Sequence, residues 1–269
     1  MTGERRPRLT TLAAVGAATA AGLLLWLAAR PSNAQAPPRS DGRFAGLQWT
    51  FARIRYTAWT VPPGRVSPED EPWYIDAPAA DWNLSRRVRT ATAIQVNDPI
   101  VLTIEDPDLM AHPWIYIVEG GNLRLKETEV PILREFLLRG GTLTFDDFHG
   151  PIEWANVEHE LKRVFPDRKI IDLPKDHPIF HCFYEFAEFP QTPGLGSFLQ
   201  GRTWEKGGYV AHLRAIEDDS GRAMVLINWN VDMGDGWEWS NASDYPGYVK
   251  YTAIAYRMEI NEIIYSLTH

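Results

Sequence analysis

The 269-residue sequence predicts an α/β fold: a mainly parallel, doubly wound sheet finished by a C-terminal β-hairpin and a closing helix. Three observations carry this prediction. Trp114-Ile115-Tyr116-Ile117-Val118 is an unbroken apolar run, the pattern of a strand covered on both faces. Strand-like and helix-like segments then alternate as far as residue 173, an order that right-handed crossovers turn into a parallel sheet. Beyond Pro190 two strand-like stretches flank Asp218-Asp219-Ser220-Gly221, a hairpin signal.

Taken in order, residues 1–36 read as an export signal or an N-terminal membrane anchor. Arg5, Arg6 and Arg8 precede an uncharged apolar run from Leu9 to Ala29, and Pro31-Ser32-Asn33-Ala34-Gln35-Ala36 follows Arg30. Small residues at alternate positions suit cleavage after Ala34 or after Ala36, and Pro37 disfavours the second cut. The run is also long enough to span a bilayer if it is retained. In either case the basic residues on its N-terminal side orient the rest of the chain outward. The expected location is the periplasm or the outer face of the cytoplasmic membrane, with membrane attachment only if the segment is uncleaved. Residues 37–47 form a tether, and residues 48–269 form the folded domain.

Phe51 to Tyr56 alternates apolar with polar residues, as a half-buried strand does. Thr60 to Pro78 holds five prolines and reads as a surface loop. Asp81 or Asn83 is placed to cap a helix running through Val88 and Ala91. Lys126 to Arg139 has helical spacing and stops at Gly140-Gly141, and Thr142 to Phe145 is a strand ending at Asp146-Asp147. Ile152 to Phe165 is helical between Pro151 and Pro166, and Ile170 to Leu173 is a short strand. Tyr209 to Ile216 and Ala223 to Asn228 make the hairpin, and Val249 to Leu267 makes the amphipathic closing helix.

Composition narrows the function. Hydrophobic residues are 45% and charged residues 23%, the balance of a chain that folds, and 11 Trp, 11 Phe and 10 Tyr supply large core surfaces. A net charge of −8 leaves phosphate repulsion largely unopposed, which argues against a nucleic-acid partner. The single cysteine, Cys182, excludes an intramolecular disulfide and any zinc site built on several thiolates.

Phe51-Ala52-Arg53-Ile54-Arg55-Tyr56, Asp176-His177-Pro178-Ile179-Phe180-His181-Cys182 and Asp232-Met233-Gly234-Asp235-Gly236-Trp237-Glu238 together resemble the bacterial domain of unknown function 4159 family, from about Gln48 to His269. The resemblance implies a sheet of the class I glutamine amidotransferase-like type, related to trehalose-utilisation-like proteins. It also implies partners among envelope proteins, namely von Willebrand A-type modules and MoxR-type ATPases. It implies no activity. That fold type places a nucleophilic cysteine on a turn after a central strand, where this chain reads Asp146-Asp147-Phe148-His149-Gly150. Cys182 lies elsewhere, in an aromatic segment, and reads as an inert thiol. A cysteine-dependent glutamine amidotransferase is therefore not expected.

Ligands of open parallel sheets collect beyond the C-terminal ends of the strands. Glu119 ends one strand there, and Asp146, Asp147 and His149 end another, with Glu153 close behind. Such a group suits a divalent cation or acid–base work on water, although the sequence does not require a cation. Asp147, His149 and His181 are the catalytic candidates. Glu119, Asp146, Asn228, Asn230 and Asp232 are the polar binding candidates, and Trp229 and Trp237 are candidates for stacking on a sugar. The plain alternative is that these carboxylates cap turns and these tryptophans fill the core. The sequence leans toward a ligand-binding or scaffold domain without catalysis. The alternative is a hydrolase using carboxylates and histidine, with or without a metal, on a carbohydrate or another envelope metabolite.

Overall fold

The computed structural model describes residues 44–61 and 64–269. The export or anchor segment 1–36 and the tether up to residue 43 lie outside the described residues. The chain order is β1 (Gln48–Trp49), β2 (Ala52–Ile54), β3 (Thr57–Ala58), α1 (Ala79–Ala91), β4 (Gln95–Val96), β5 (Ile100–Leu102), β6 (Trp114–Val118), β7 (Leu123–Arg124) and α2 (Glu129–Leu138). It continues with β8 (Thr142–Phe148), α3 (Gly150–Val164), β9 (Ile171–Asp172), α4 (Leu195–Leu199), β10 (His212–Glu217), β11 (Ala223–Trp229), α5 (Met233–Glu238) and α6 (Val249–Thr268). Among the described residues no helix is long and apolar enough to cross a membrane.

Seven strands form the main sheet in the order β5-β2-β6-β8-β11-β10-β9. The first five run parallel, and β10 is antiparallel to both β11 and β9. The expected mixed α/β architecture, mostly parallel sheet, hairpin and last helix are all present. Numbered along the chain, the parallel strands lie 2-1-3-4-5, one of the common orders of doubly wound sheets. Two separate cores show why. Side chains of α1, α5 and α6 pack with Trp114, Tyr116 and Leu226 on one face. Those of α2 and α3 pack with Ile115, Ile117 and Val225 on the other. β6 alternates between the two cores and is buried along its whole length, as an unbroken apolar run requires.

Helix ends are satisfied from a distance. Arg222 is buried at the end of the hairpin and donates to the carbonyls of Leu137 (2.9 Å) and Gly141 (3.1 Å). It thereby answers the orphan acceptors where α2 stops. Gly140 has φ +105°, a turn that glycine makes without a Cβ penalty.

Two local expectations are corrected. The alternation over Phe51–Tyr56 predicts a half-buried strand, yet Arg53 is wholly buried. Asp81 does not cap α1, which begins at Ala79 behind Pro78. Its carboxylate instead accepts both Nε and Nη2 of Arg53, since a buried guanidinium demands a counter-charge more strongly than a helix end demands a cap.

The strand expected at Thr142–Phe145 runs on to Phe148 because it carries a bulge. Phe145 pairs with Ile227 and Phe148 with Trp229, so β8 spends three residues where β11 spends two. The extra residue puts Phe145 and Phe148 in the same core although they are three apart. Asp146 and Asp147 occupy the bulge at the C-terminal end of the sheet.

Candidate functional site

Arg53 builds the first wall of the site. Besides Asp81, its Nη1 donates to the carbonyls of Trp73 (3.1 Å) and Ile75 (3.0 Å). Trp73 is itself buried, so a segment of the proline-rich loop is pinned over the sheet. The next residue, Asp76, adopts φ +65° and points into the structure, with its Oδ2 buried and without a hydrogen-bond partner.

The β8 bulge builds the second wall. Asp146 is fully buried and saturated: it accepts from Tyr116 Oη (3.0 Å), Met233 N (3.1 Å) and Gly234 N (2.8 Å). Burial lifts its pKa to about 6, against those donors. Asp146 is therefore the clamp that fixes α5 to the sheet. Asp147 has φ +52° and places Oδ1 3.1 Å from Nε2 of His149. Both side chains are nearly inaccessible, and His149 Nδ1 has no partner. Desolvation lowers the pKa of His149, so the ring is neutral at neutral pH.

The loop before α5 supplies the third wall. Asp232 caps that helix, with Oδ1 accepting from Asp235 N at 2.7 Å. Asp76, Asp147 and Asp232 bring ligand oxygens within 4.8 Å of one another, and Asp76, Asp235 and Glu238 form a second such trio sharing Asp76. Burial first, then repulsion from neighbouring carboxylates (Asp146 and Asp235 for Asp147, Asp147 and Asp235 for Asp76 and Asp232), pushes the carboxyls of Asp76, Asp147 and Asp232 well above the usual range. Lys206 is a cation beside them, its Nζ 2.6 Å from Glu153 and 3.9 Å from Glu119. Glu119 is pushed up to about 8, by desolvation and then by Asp147.

The backbone around the pocket is strained. Among the described residues the non-glycine positions with positive φ are Asp76, Glu119, Asp147, Lys206 and Asn230. Asp76 and Asp147 belong to the carboxylate trio, and Lys206 lies beside Glu119. Asn230 braces: its Oδ1 accepts from Gly150 N (2.8 Å) and its Nδ2 donates to Val210 O (2.7 Å). Such conformations persist only where surrounding structure over-determines them, and they gather at functional sites.

Of the sequence candidates, Asp146, Asp147, His149, Glu119 and Asp232 do converge. His181 does not: it is exposed, and its ring nitrogens engage Glu185 (2.7 Å) and the Lys175 carbonyl (3.0 Å). Pro178 starts a short helical turn that carries His181 to the α6 side of the sheet. Asn228 is buried under α6, where its Nδ2 donates to Glu262, and Asn230 is consumed by backbone contacts. Trp237 is fully buried against Phe51 and Tyr116. Trp229 lies in the other layer, packed against Trp154 with the Arg214 guanidinium over both rings. The two rings thus form no shared stacking platform. Cys182 is half-buried, its Sγ 3.3 Å from the Asn261 carbonyl, far along the chain from the β8 turn. Asp76 was not among the expected site residues; the hint in the sequence is the aromatic Trp73-Tyr74 just before it, of which Trp73 is buried.

No curated protein matches the chain. Residues 50–267 match the family model described as a domain of unknown function, DUF4159. That match takes in β2, the β8 bulge and α5, which together build the pocket, and it spans most of the chain: this protein belongs to the DUF4159 family.

Proposed function

We propose that this is an exported ligand-binding domain of the cell envelope whose strand-end pocket holds a divalent cation on Asp76, Asp147 and Asp232. The observation that carries the reading is the convergence of these three carboxylates within 4.8 Å at the C-terminal end of a parallel sheet, with Asp76 Oδ2 buried and unanswered. Three buried like charges this close repel unless they are protonated or share a cation. An all-oxygen set favours a hard ion of the magnesium, calcium or manganese kind. The strand order and the helices on both faces support an amidotransferase-like sheet, with Asp147 standing near the turn where that fold type carries its cysteine. The basic start and apolar run of residues 1–36 support export to the periplasm or the outer membrane face. Envelope partners of the von Willebrand A type rest on the family resemblance alone.

The Asp147–His149 contact supports a second reading, a metal-assisted hydrolase. A neutral imidazole with one nitrogen on a carboxylate suits proton transfer to and from water. Cation binding comes first in either case. The test is a titration of chelator-treated full-length protein with Mn²⁺, followed by electron paramagnetic resonance, with Mg²⁺ and Ca²⁺ as competitors. Saturable binding that weakens about tenfold or more in Asp147→Asn/Asp76→Asn supports the site. Equal binding by wild type and variant, or none that saturates, overturns it.

A further inference from the structure

A second pocket lies on the α1 face of the domain and has the opposite chemistry. It is a cavity of about 270 Å³ lined by Asn83, Arg86, Arg87 and Thr90 of α1, Ser240 and Asn241 just after α5, and Tyr256 of α6. No carboxylate lines it, although the chain has 35 acidic residues against 27 basic ones. Neither Arg86 nor Arg87 is in an ion pair among the described residues, whereas Arg53, Arg134, Arg163, Arg168 and Arg222 all are.

The Arg87, Tyr256 and Asn83 side of the pocket is ordered in advance. The Arg87 guanidinium lies 4.8 Å from the centre of the Tyr256 ring, a cation–π contact that holds it in place without neutralising it. Tyr256 Oη donates to Ser240 Oγ at 2.7 Å, which leaves the serine proton free to donate elsewhere. Asn83 ties the floor together: its Nδ2 donates to Trp237 O (2.9 Å) and its Oδ1 accepts from Asn241 Nδ2 (2.7 Å). Two guanidiniums outside any ion pair, the serine hydroxyl and the one Asn241 Nδ2 hydrogen not given to Asn83 face one concave space as donors for a tetrahedral oxyanion, and the guanidinium fork matches phosphate geometry.

We propose that this pocket binds a phosphate group carried by a small soluble molecule. The volume supports a carried group, because a single water takes about 30 Å³ and a bare phosphate would leave much of the space unfilled. The site shares no lining residue with the Asp76, Asp147 and Asp232 trio and does not depend on a cation there.

The test uses the full-length protein at constant ionic strength, with chloride exchanged for inorganic phosphate or for glycerol phosphate. Binding is read by calorimetry and by the unfolding midpoint. The expected result is saturable binding of both anions, the ester tighter than phosphate, with affinity falling about tenfold or more in Arg86→Gln/Arg87→Gln. Arg202→Gln, outside the pocket, should leave it unchanged. The unfolding midpoint in chloride alone shows whether the double variant is folded. An equal response in wild type and the folded double variant, or no saturable response in wild type, overturns the proposal. Loss of Mn²⁺ binding in Asp147→Asn/Asp76→Asn with phosphate binding intact separates the two pockets.

Discussion

Asp147 and His149 face each other across 3.1 Å at the end of β8, and both are nearly inaccessible to bulk water. The pair exists because the bulge adds one residue to the strand. A regular strand would keep its alternation through residue 148, whereas the bulge adds a residue before the ladder resumes at Phe148–Trp229, and both Asp147 and His149 are buried there.

Asp147→Asn is expected to stabilise the protein in chelator, by about 1–2 kcal/mol at pH 8, and by less at pH 5. Burial raises the folded-state pKa of Asp147, so the native carboxyl holds a proton that the unfolded chain gives up above its ordinary value of 3.8. Stability therefore falls as pH rises, and the amide removes that dependence. The same variant should lose the stabilisation that a divalent cation gives wild type. Urea titrations at both pH values, with and without Mg²⁺, check each part.

Asp81→Ala leaves Arg53 buried without its counter-charge and should cost about 3–5 kcal/mol. Arg53 also holds the carbonyls on which the Asp76 loop rests, so the cation affinity should fall with it. The double change Arg53→Met/Asp81→Leu should regain most of the stability in urea titrations but not the Mn²⁺ affinity.

Gly234→Ala should destabilise by about 1–3 kcal/mol, through overpacking. An added Cβ would run into Asp76 Oδ2 and crowd the Tyr116 hydroxyl. Thermal unfolding measures the loss. Combining it with Asp76→Ala, which removes the obstructing carboxylate, should restore part of it.

Glu262→Gln should flatten the pH dependence of stability between about pH 4.5 and about pH 8. Glu262 is completely buried under the sheet, where it accepts from Asn228 Nδ2 (3.2 Å), and desolvation pushes its pKa up to about 8. The folded protein keeps this proton while the unfolded chain releases it, so wild type loses stability as pH rises through that window. The loss is on the order of a few kcal/mol. Guanidinium titrations at several pH values compare the two slopes; parallel curves would contradict the assignment.

The layers of the fold were legible because they follow from apolar periodicity. Trp114–Val118 was legible from its unbroken apolar run, the helix before Gly140 from its spacing and its Gly-Gly stop, though it starts at Glu129 rather than Lys126, and the hairpin from its turn residues. Asp146, Asp147, His149 and Glu119 were legible as strand-end residues because ligands gather at that end of parallel sheets. Asp76 was not legible, because its place depends on a buried arginine 23 positions earlier that grips the loop by its carbonyls. His181 and Trp237 were misplaced for a related reason. Sequence proximity to polar groups says nothing about which side of the sheet a connection takes, and packing decided both.

The left-handed residues around the acidic pocket set two demands against each other. At Asp76, Glu119, Asp147 and Lys206 the backbone would gain about 1–2 kcal/mol if the residue were glycine, since the cost comes from the Cβ. Only the native side chain, however, supplies the carboxylate or the ammonium. A library randomised at these four positions and sorted for folding alone should therefore drift to Gly and Asn within a few rounds. The same library sorted for cation retention should hold Asp at 76 and 147. The ratio of those two enrichments, position by position, would measure how much foldability this lineage has given up for its pocket.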